Sequence, residues 1–527
     1  MLESQSSVNN ESSLFSRVLD LSRSFARTIN ASGAIIYFLI ALNLSITVPL
    51  SYILSIITDE AFSLHTTSKG IGYAFNQALY FELQAPLYFI LLNIWREANG
   101  SIFFARLFSV LCIAATVKVA ACLSQRLVKG VHPGWFAAVV ALHPYTIWAA
   151  TEIRLYALGI LLSSLLLLFF YDGFFTDKPR RGAQVIYFVL SVAALYTQYY
   201  LGFLLVANAA ALLILRRWRA AFIYMLGMVG VGLCFAPMLL VILGQVTTHT
   251  QTVTNAVSAM KGLSVIFWHI KEYILPVTPL EKMETLEVLR RWIFRLAYVA
   301  IIIALLKNYR RFLTATNILV VTTLSITVLL YVAAVRLTGE AMLQYRHSFV
   351  LFIPTALLAF TLVAKAAGGK VRAAWMLIFL LFSLTSLYFT FNPMTKMGSW
   401  DKVAQYVMAS EKPGQPVLVF HAGNALTLSY YYTGKNVLVP VPRENRFDTF
   451  DIKDYVLKDE QEIEDAIARV PGDHREIWLV TDGICRFMDV DYNCQVLDGF
   501  VEKHYDIEQS QTFYNSQVRL LRRKPNP

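Results

Sequence analysis

The chain has 527 residues, of which 56% are hydrophobic, 13% aromatic and only 15% charged. Mean hydropathy is +0.52, whereas soluble domains carry about a quarter charged residues. This excludes one large soluble core and points to a polytopic membrane protein. The net charge of +11 does not mark a nucleic-acid surface, because it is unevenly spread. Residues 1–391 hold 30 Lys+Arg against 15 Asp+Glu, and residues 392–527 hold 16 against 20.

A polar segment, 1–32, carries Arg17, Arg23 and Arg27 and reads as a cytoplasmic tail. The apolar run that follows, 33–57, is too long for a signal-peptide core and lacks a small-residue cleavage site, so it reads as a retained span. About eleven spans are expected, near 33–57, 102–123, 134–149, 154–175, 183–197, 200–215, 220–243, 292–306, 312–335, 347–364 and 373–391. Every second connection is basic: Arg126 and Lys129; Lys178, Arg180 and Arg181; Arg216, Arg217 and Arg219; Lys307, Arg310 and Arg311; Lys365, Lys370 and Arg372. The positive-inside rule assigns these loops and the N-terminus to the cytoplasm. Residues 392–527 are then expected on the outer side of the membrane, periplasmic or extracellular.

Two carboxylates, Asp59 and Glu60, arrive together where the first span ends. Such a pair at a membrane edge is either a plain loop start or functional. The outer loop that follows, 58–101, holds Phe62, Leu64, Ile71, Phe75, Leu79 and Phe81 at loosely helical spacing. Pro86 then opens an apolar stretch too short to span, which suits a helix lying in the interface or half of a hairpin dipping into the membrane. Further outer corners carry Glu152, Arg154 and Tyr156; Gln198 and Tyr199; and Tyr345 and Arg346. A structural ion pair, an aromatic belt and a snorkelling arginine are the plain accounts of these residues. The outer segment 244–291, with Trp268, Lys271, Tyr273 and Pro276, has the length and mixed polarity of a mobile lid.

Residues 392–527 alternate helical and strand patterns and read as a small α/β domain with an open sheet. Strands are expected at 416–420, 437–441, 476–481 and 517–521, and helices near 400–407, 427–432, 460–470 and 493–503. Cys112, Cys122 and Cys234 fall in spans, while Cys485 and Cys494 fall in this outer domain, where an oxidising compartment favours a disulfide. No His or Cys spacing typical of a metal site occurs, and no glycine-rich phosphate loop opens a helix. These patterns support no firm cofactor and leave a divalent cation open.

In order along the chain stand Asp59-Glu60, Ala85-Pro86-Leu87-Tyr88, Ala105-Arg106-Leu107-Phe108-Ser109, Leu142-His143-Pro144, Thr151-Glu152-Ile153-Arg154-Leu155-Tyr156 and Tyr345-Arg346 with Pro354. Trp400-Asp401 and Tyr430-Tyr431-Tyr432 follow the last span. This ordered set resembles the GT-C superfamily of membrane glycosyltransferases. Within it, the chain is similar to the protein O-mannosyltransferase-like branch, which includes the lipid A aminoarabinose transferase and the rhizobial galacturonosyltransferases. The chain departs from the branch at Gln84-Ala85-Pro86, where two prolines after Asp or His are frequent, and at Gln198, where His is frequent.

The resemblance implies a GT-C transmembrane domain over 33–391, interfacial helices in the first outer loop and an extracytoplasmic domain over 392–527. It implies an inverting glycosyltransferase that takes a hexose or pentose from a polyprenyl-phosphate donor. The acceptor hydroxyl belongs to a glycan, lipid or protein at the outer face, among membrane lipids and without nucleic acid. Asp59 is the expected base, with Glu60 as its neighbour or orienter. Arg154 and Arg346, then Arg106 and Lys69, are the expected phosphate ligands, because a guanidinium matches phosphate oxygens in a fork. Glu152, Tyr156, Tyr345, Tyr199 and Gln198 complete the expected substrate contacts. The competing classes are a transporter or flippase of lipid-linked sugars and a non-catalytic envelope-glycan assembly protein; no internal repeat supports the former.

Overall fold

The structure is a computed structural model. It describes residues 33–252, 258–338, 343–366, 369–449, 451–472, 474–487 and 490–525. The expected cytoplasmic tail, 1–32, lies outside the described residues.

Among the described residues, seven helices are long and apolar enough to cross a membrane: Gly33–Ile53, Ile102–Leu127, Tyr156–Phe175, Trp218–Gln245, Ala315–Arg336, Tyr345–Lys365 and Gly369–Thr390. The protein is thus a polytopic helical membrane protein with a small C-terminal sheet domain. The other four expected spans fall short of that criterion for separate reasons. The stretch 134–149 divides into Gly134–Leu142 and Pro144–Ala150. Pro144 disfavours helical geometry at the residue before it, and His143 is accordingly extended (φ −70°, ψ 129°). Its Nδ1 accepts from the Tyr145 amide at 3.0 Å and so starts the second piece. Arg181–Thr197 and Tyr199–Ile214 are apolar but shorter than the seven. Glu284–Asn308 has 25 residues but carries Glu284, Glu287, Arg290, Arg291 and Arg295.

The chain divides into two compact units, each assembled from three stretches. The first comprises Met1–Pro49, Arg106–Leu240 and Ala256–Tyr388. Its helices pack as neighbours along the chain and across it: Arg181–Thr197 on Tyr156–Phe170, and Gly202–Ile214 on Ala315–Thr338. Several buried polar groups in this unit pair with backbone or with one another, which an apolar medium favours. Asn43 donates to the Ala141 carbonyl at 2.7 Å. The Tyr187 and Tyr224 hydroxyls lie 2.8 Å apart, and Asn208 donates to the former at 3.0 Å. By contrast, Phe222, Leu226, Leu233 and Leu240 on Trp218–Thr252 are exposed, as lipid-facing side chains would be.

The second part of the expected lid is an ordered helix, Ala259–Ile274, packed on Ala315–Thr338 and Phe352–Ala366. Its end is fastened by a fully buried ion pair between Glu272 and Arg290. The other Glu272 oxygen accepts from the Val277 amide at 2.8 Å and from the Thr278 amide and hydroxyl at 3.1 and 2.9 Å. A loosely held loop does not bury a charge pair in this way.

The second unit comprises Leu50–Ala105, Val241–Asn255 and Phe389–Pro527. The C-terminal region and the first outer loop therefore belong to one compact body. Its sheet has the order β2-β1-β3-β7-β6, with β1 Val417–Phe420, β2 Leu438–Val441, β3 Glu476–Asp482, β6 Tyr505–Phe513 and β7 Ser516–Arg523. β1 pairs in parallel with β2 and β3, while β7 is antiparallel to β3 and β6. Period-two alternation divides the side chains between two cores. Leu418, Phe420, Ile477 and Leu479 face the helices Glu460–Ala468 and Cys494–His504. Val417, Val419, Trp478 and Val480 face Trp400–Ser410 and Ala422–Ser429. The strand at 505–513 escapes a sequence reading because it is an exposed polar edge, with Asp506 to Thr512 all exposed. A short hairpin of β4 Arg486–Phe487 and β5 Val490–Asp491 is closed by the Cys485–Cys494 disulfide.

Candidate active-site residues

In the second unit, Thr58, Asp59 and Glu60 form the first turn of the helix Thr58–Thr66. Ile57 before it is extended, so the helix starts abruptly at the end of the first apolar run. Glu60 is fully buried. One of its oxygens accepts from the Ile57 amide at 3.1 Å and pairs with Lys396 at 2.8 Å. The carboxylate thus caps its own helix and neutralises a nearly buried ammonium. Asp59 beside it is half-buried, in the first helix turn, where the helix dipole favours a negative charge.

The same turn is bound to the sheet domain. Thr58 donates to Asn424 Oδ1 at 2.9 Å, and Asn424 donates to Asp482 at 2.7 Å. The Ile56 amide donates to the Tyr431 hydroxyl at 2.7 Å. Gly423 permits this close approach, because a Cβ there would lie 3.1 Å from Thr58 Cγ2. Two further helices complete the outer loop, Ile71–Tyr80 and Leu87–Arg96, the latter entered from Pro86. Arg96 ties them back, donating to the Leu64 carbonyl and the Thr67 hydroxyl at 2.6 Å each. Lys69 is exposed, with its ammonium 4.9 Å from the centre of the Tyr73 ring. His65 is stacked on Phe447 at 3.8 Å and bonded to the Tyr73 hydroxyl at 2.8 Å. Burial, and then the Lys69 charge, hold its pKa below the usual 6.5.

In the first unit, Glu152, Arg154 and Tyr156 occupy a buried corner that leads into the helix Tyr156–Phe170. The Ser109 hydroxyl donates to the Glu152 carbonyl at 2.7 Å. Fully buried Arg106 lies three residues before Ser109, on the same helix face. Gly159 brings the Tyr345–Arg346 segment against this corner: a Cβ there would fall 2.3 Å from the Phe349 ring. Tyr156 stacks on Trp148 at 5.1 Å and meets His347 at 6.3 Å. Tyr145 stands between Trp148 and Tyr345, at 5.5 and 4.8 Å, and its hydroxyl approaches the Arg346 carbonyl at 3.3 Å. The fold thus brings Tyr156, Tyr345 and the Arg346 backbone to one aromatic group, with Glu152 and Arg154 in the buried turn that precedes Tyr156. Gln198 and Tyr199 lie at another corner, where Gln198 accepts from the Tyr199 amide at 3.1 Å and the Tyr199 ring meets Phe235 at 6.1 Å.

Several residues here have no signal in the sequence. Lys396 is a lone cation after the last span, and nothing in its spacing pairs it with Glu60. Tyr145, Trp148 and Tyr273 look like belt aromatics until the fold stacks Tyr273 on Tyr345 at 5.2 Å. His269 lies 5.3 Å from the Tyr345 ring, and burial lowers its pKa to about 4. It is therefore a neutral imidazole beside the arginine-bearing segment. Among the described residues no group of three or more His, Cys, Asp or Glu is placed to hold a metal ion.

No protein-family model matches the chain, and no characterised protein matches it by sequence. Solved structures do match it. The apo structure of ArnT from Cupriavidus metallidurans aligns over 93% of this chain and 98% of its own, with 14% identity and a TM-score of 0.50. The same protein bound to undecaprenyl phosphate aligns over 92% and 97%, with a TM-score of 0.43. The oligosaccharyltransferase AglB from Archaeoglobus fulgidus, in complex with an inhibitory peptide and a dolichol-phosphate, aligns over 85% and 69%, with 9% identity and a TM-score of 0.46. At these identities the likeness is one of fold. The chain shares its overall fold with ArnT.

Proposed function

We propose that the protein is an inverting glycosyltransferase acting at the outer face of a bacterial inner membrane. It would move a hexose or pentose from a polyprenyl-phosphate donor to a hydroxyl of a glycan, lipid or protein. One observation carries this reading: the buried Glu60–Lys396 pair fixes the first turn of a helix that presents half-buried Asp59. In the proposed reaction Asp59 takes the proton of the acceptor hydroxyl. The hydroxyl oxygen forms its bond to the anomeric carbon, and the bond from that carbon to phosphate oxygen breaks. The electron pair leaves on the polyprenyl phosphate, so the single displacement inverts the carbon. Arg154 and Arg346 are assigned to the leaving phosphate, with Arg106 and Lys69 as lesser cations. Glu152, Tyr156, Tyr345, Tyr199 and Gln198 are assigned to sugar or phosphate contacts, and Glu60 orients Asp59.

The test is Asp59→Asn in vesicles fed a polyprenyl-phosphate sugar. Loss of general-base assistance should lower transfer by about 10²–10⁴-fold. Unchanged transfer by a correctly inserted variant would remove Asp59 from its role. Flipping of the donor by the native chain, with no transfer, would favour the transporter class.

A further inference from the structure

We propose that the first unit carries a binding site for the headgroup of one anionic glycerophospholipid, apart from the residues assigned to sugar transfer. A cavity of about 210 Å³ is lined by the loop residues Gly130 and His132, by Trp135 at the start of the helix Gly134–Leu142, by Phe360 on Phe352–Ala366, and by Arg372 and Trp375 on Gly369–Thr390. One water needs only about 10–15 Å³ of such volume, so the cavity takes a larger group. The helix Ile102–Leu127 ends here, the span Tyr345–Lys365 ends here, and Gly369–Thr390 begins here. The cavity thus opens where apolar spans meet water. Its two indoles are the amphipathic side chains suited to that depth.

The charge around it is one-sided. Segments 124–135 and 363–376 contain Arg126, Lys129, Lys365, Lys370 and Arg372 and no Asp or Glu. Arg126 is neutralised by Asp172 at 2.7 Å, and Lys365 donates to Thr314 and Asn317 at 2.9 and 2.7 Å. Among the described residues no ion pair is formed by Lys129, Lys370 or Arg372. His132 adds a neutral donor: its Nδ1 accepts from the Gly134 amide at 3.1 Å, which leaves the ring hydrogen on Nε2. Cations, an imidazole N–H and interfacial indoles together match a phosphate ester whose acyl chains stay in the bilayer. A choline headgroup would bring a further cation into the same field.

Native mass spectrometry of the full chain tests this, after extraction into mild detergent with equal phosphatidylglycerol and phosphatidylcholine. One phosphatidylglycerol should stay with each native chain. Arg372→Gln, at a partly exposed position, should lower that retention about fivefold. Ala364→Trp should abolish it by filling the cavity. If that second variant fails to fold, the Arg372→Gln comparison decides alone. Equal retention of phosphatidylcholine, or undiminished retention by Arg372→Gln, overturns the proposal. So does displacement of the lipid by inorganic phosphate, or by undecaprenyl phosphate at equal mole fraction.

Discussion

Asp59 and Glu60 are chemically alike and adjacent, yet the fold separates their roles. Glu60 is buried against Lys396 and its own helix amide, while Asp59 stays half-buried. Lys396 should therefore matter to stability, because it holds the turn that carries Asp59. Removing one partner of a buried pair leaves an uncompensated charge and costs about 3–5 kcal/mol. Lys396→Met should lower the melting temperature of the solubilised chain clearly, and Glu60→Leu in the same chain should restore part of it. A drop no larger than for exposed Lys412→Met would mean the pair does not hold the turn. His65 adds a pH dependence. Its pKa is lowered in the folded protein, so its contribution is fully present above 6.5 and is lost as pH falls through the folded value. Native protein should melt progressively lower as pH falls below about 6.5, and His65→Gln should flatten that part of the profile. Parallel profiles for the two proteins would exclude this histidine as the source.

At the scale of elements, close approaches bring distant stretches together. The helix Tyr156–Phe170 meets the segment 345–351 because Gly159 has no Cβ to displace the Phe349 ring. Gly159→Ala should cost about 1–3 kcal/mol through overpacking and should reduce sugar transfer by moving Arg346 from the Glu152–Tyr156 corner. Gly230→Ala, where a Cβ meets nothing within 4 Å, is the control and should leave the melting temperature unchanged or slightly higher. An equal response of both variants would show that the approach at Gly159 is not tight. The hairpin near the C-terminus is closed by Cys485–Cys494, as expected from the compartment assigned to it. Alkylation of the denatured, unreduced chain should label Cys112, Cys122 and Cys234 only, and reduction should add the other two. Labelling of all five without reduction would contradict the disulfide. The four expected strands and three of the four expected helices of this domain lie close to the observed ones, while the helix expected near 427–432 instead spans Ala422–Ser429; the core strands alternate between two buried faces. The polar edge strand 505–513 does not, and pairing with β7, a tertiary matter, forms it.

At the scale of the whole molecule, composition and hydropathy suffice for the membrane class. Lipid requires long apolar helices whatever their neighbours are, so seven of the expected spans are directly recognisable. The sequence also changes character near residue 391, where charge sign and helix–strand alternation shift. The ordered set of corner residues is enough to raise the GT-C resemblance, and the overall fold is one shared with ArnT. Only the tertiary structure decided that the first outer loop and the C-terminal domain form one compact unit. Only the tertiary structure paired Glu60 with Lys396, and gathered the 152–156 and 345–346 corners around Tyr145. The physical reason is range. Hydropathy and caps act within a few turns of chain and can be read locally. A buried charge pair 336 residues apart, or a glycine that admits a ring from another helix, depends on packing that no local pattern encodes.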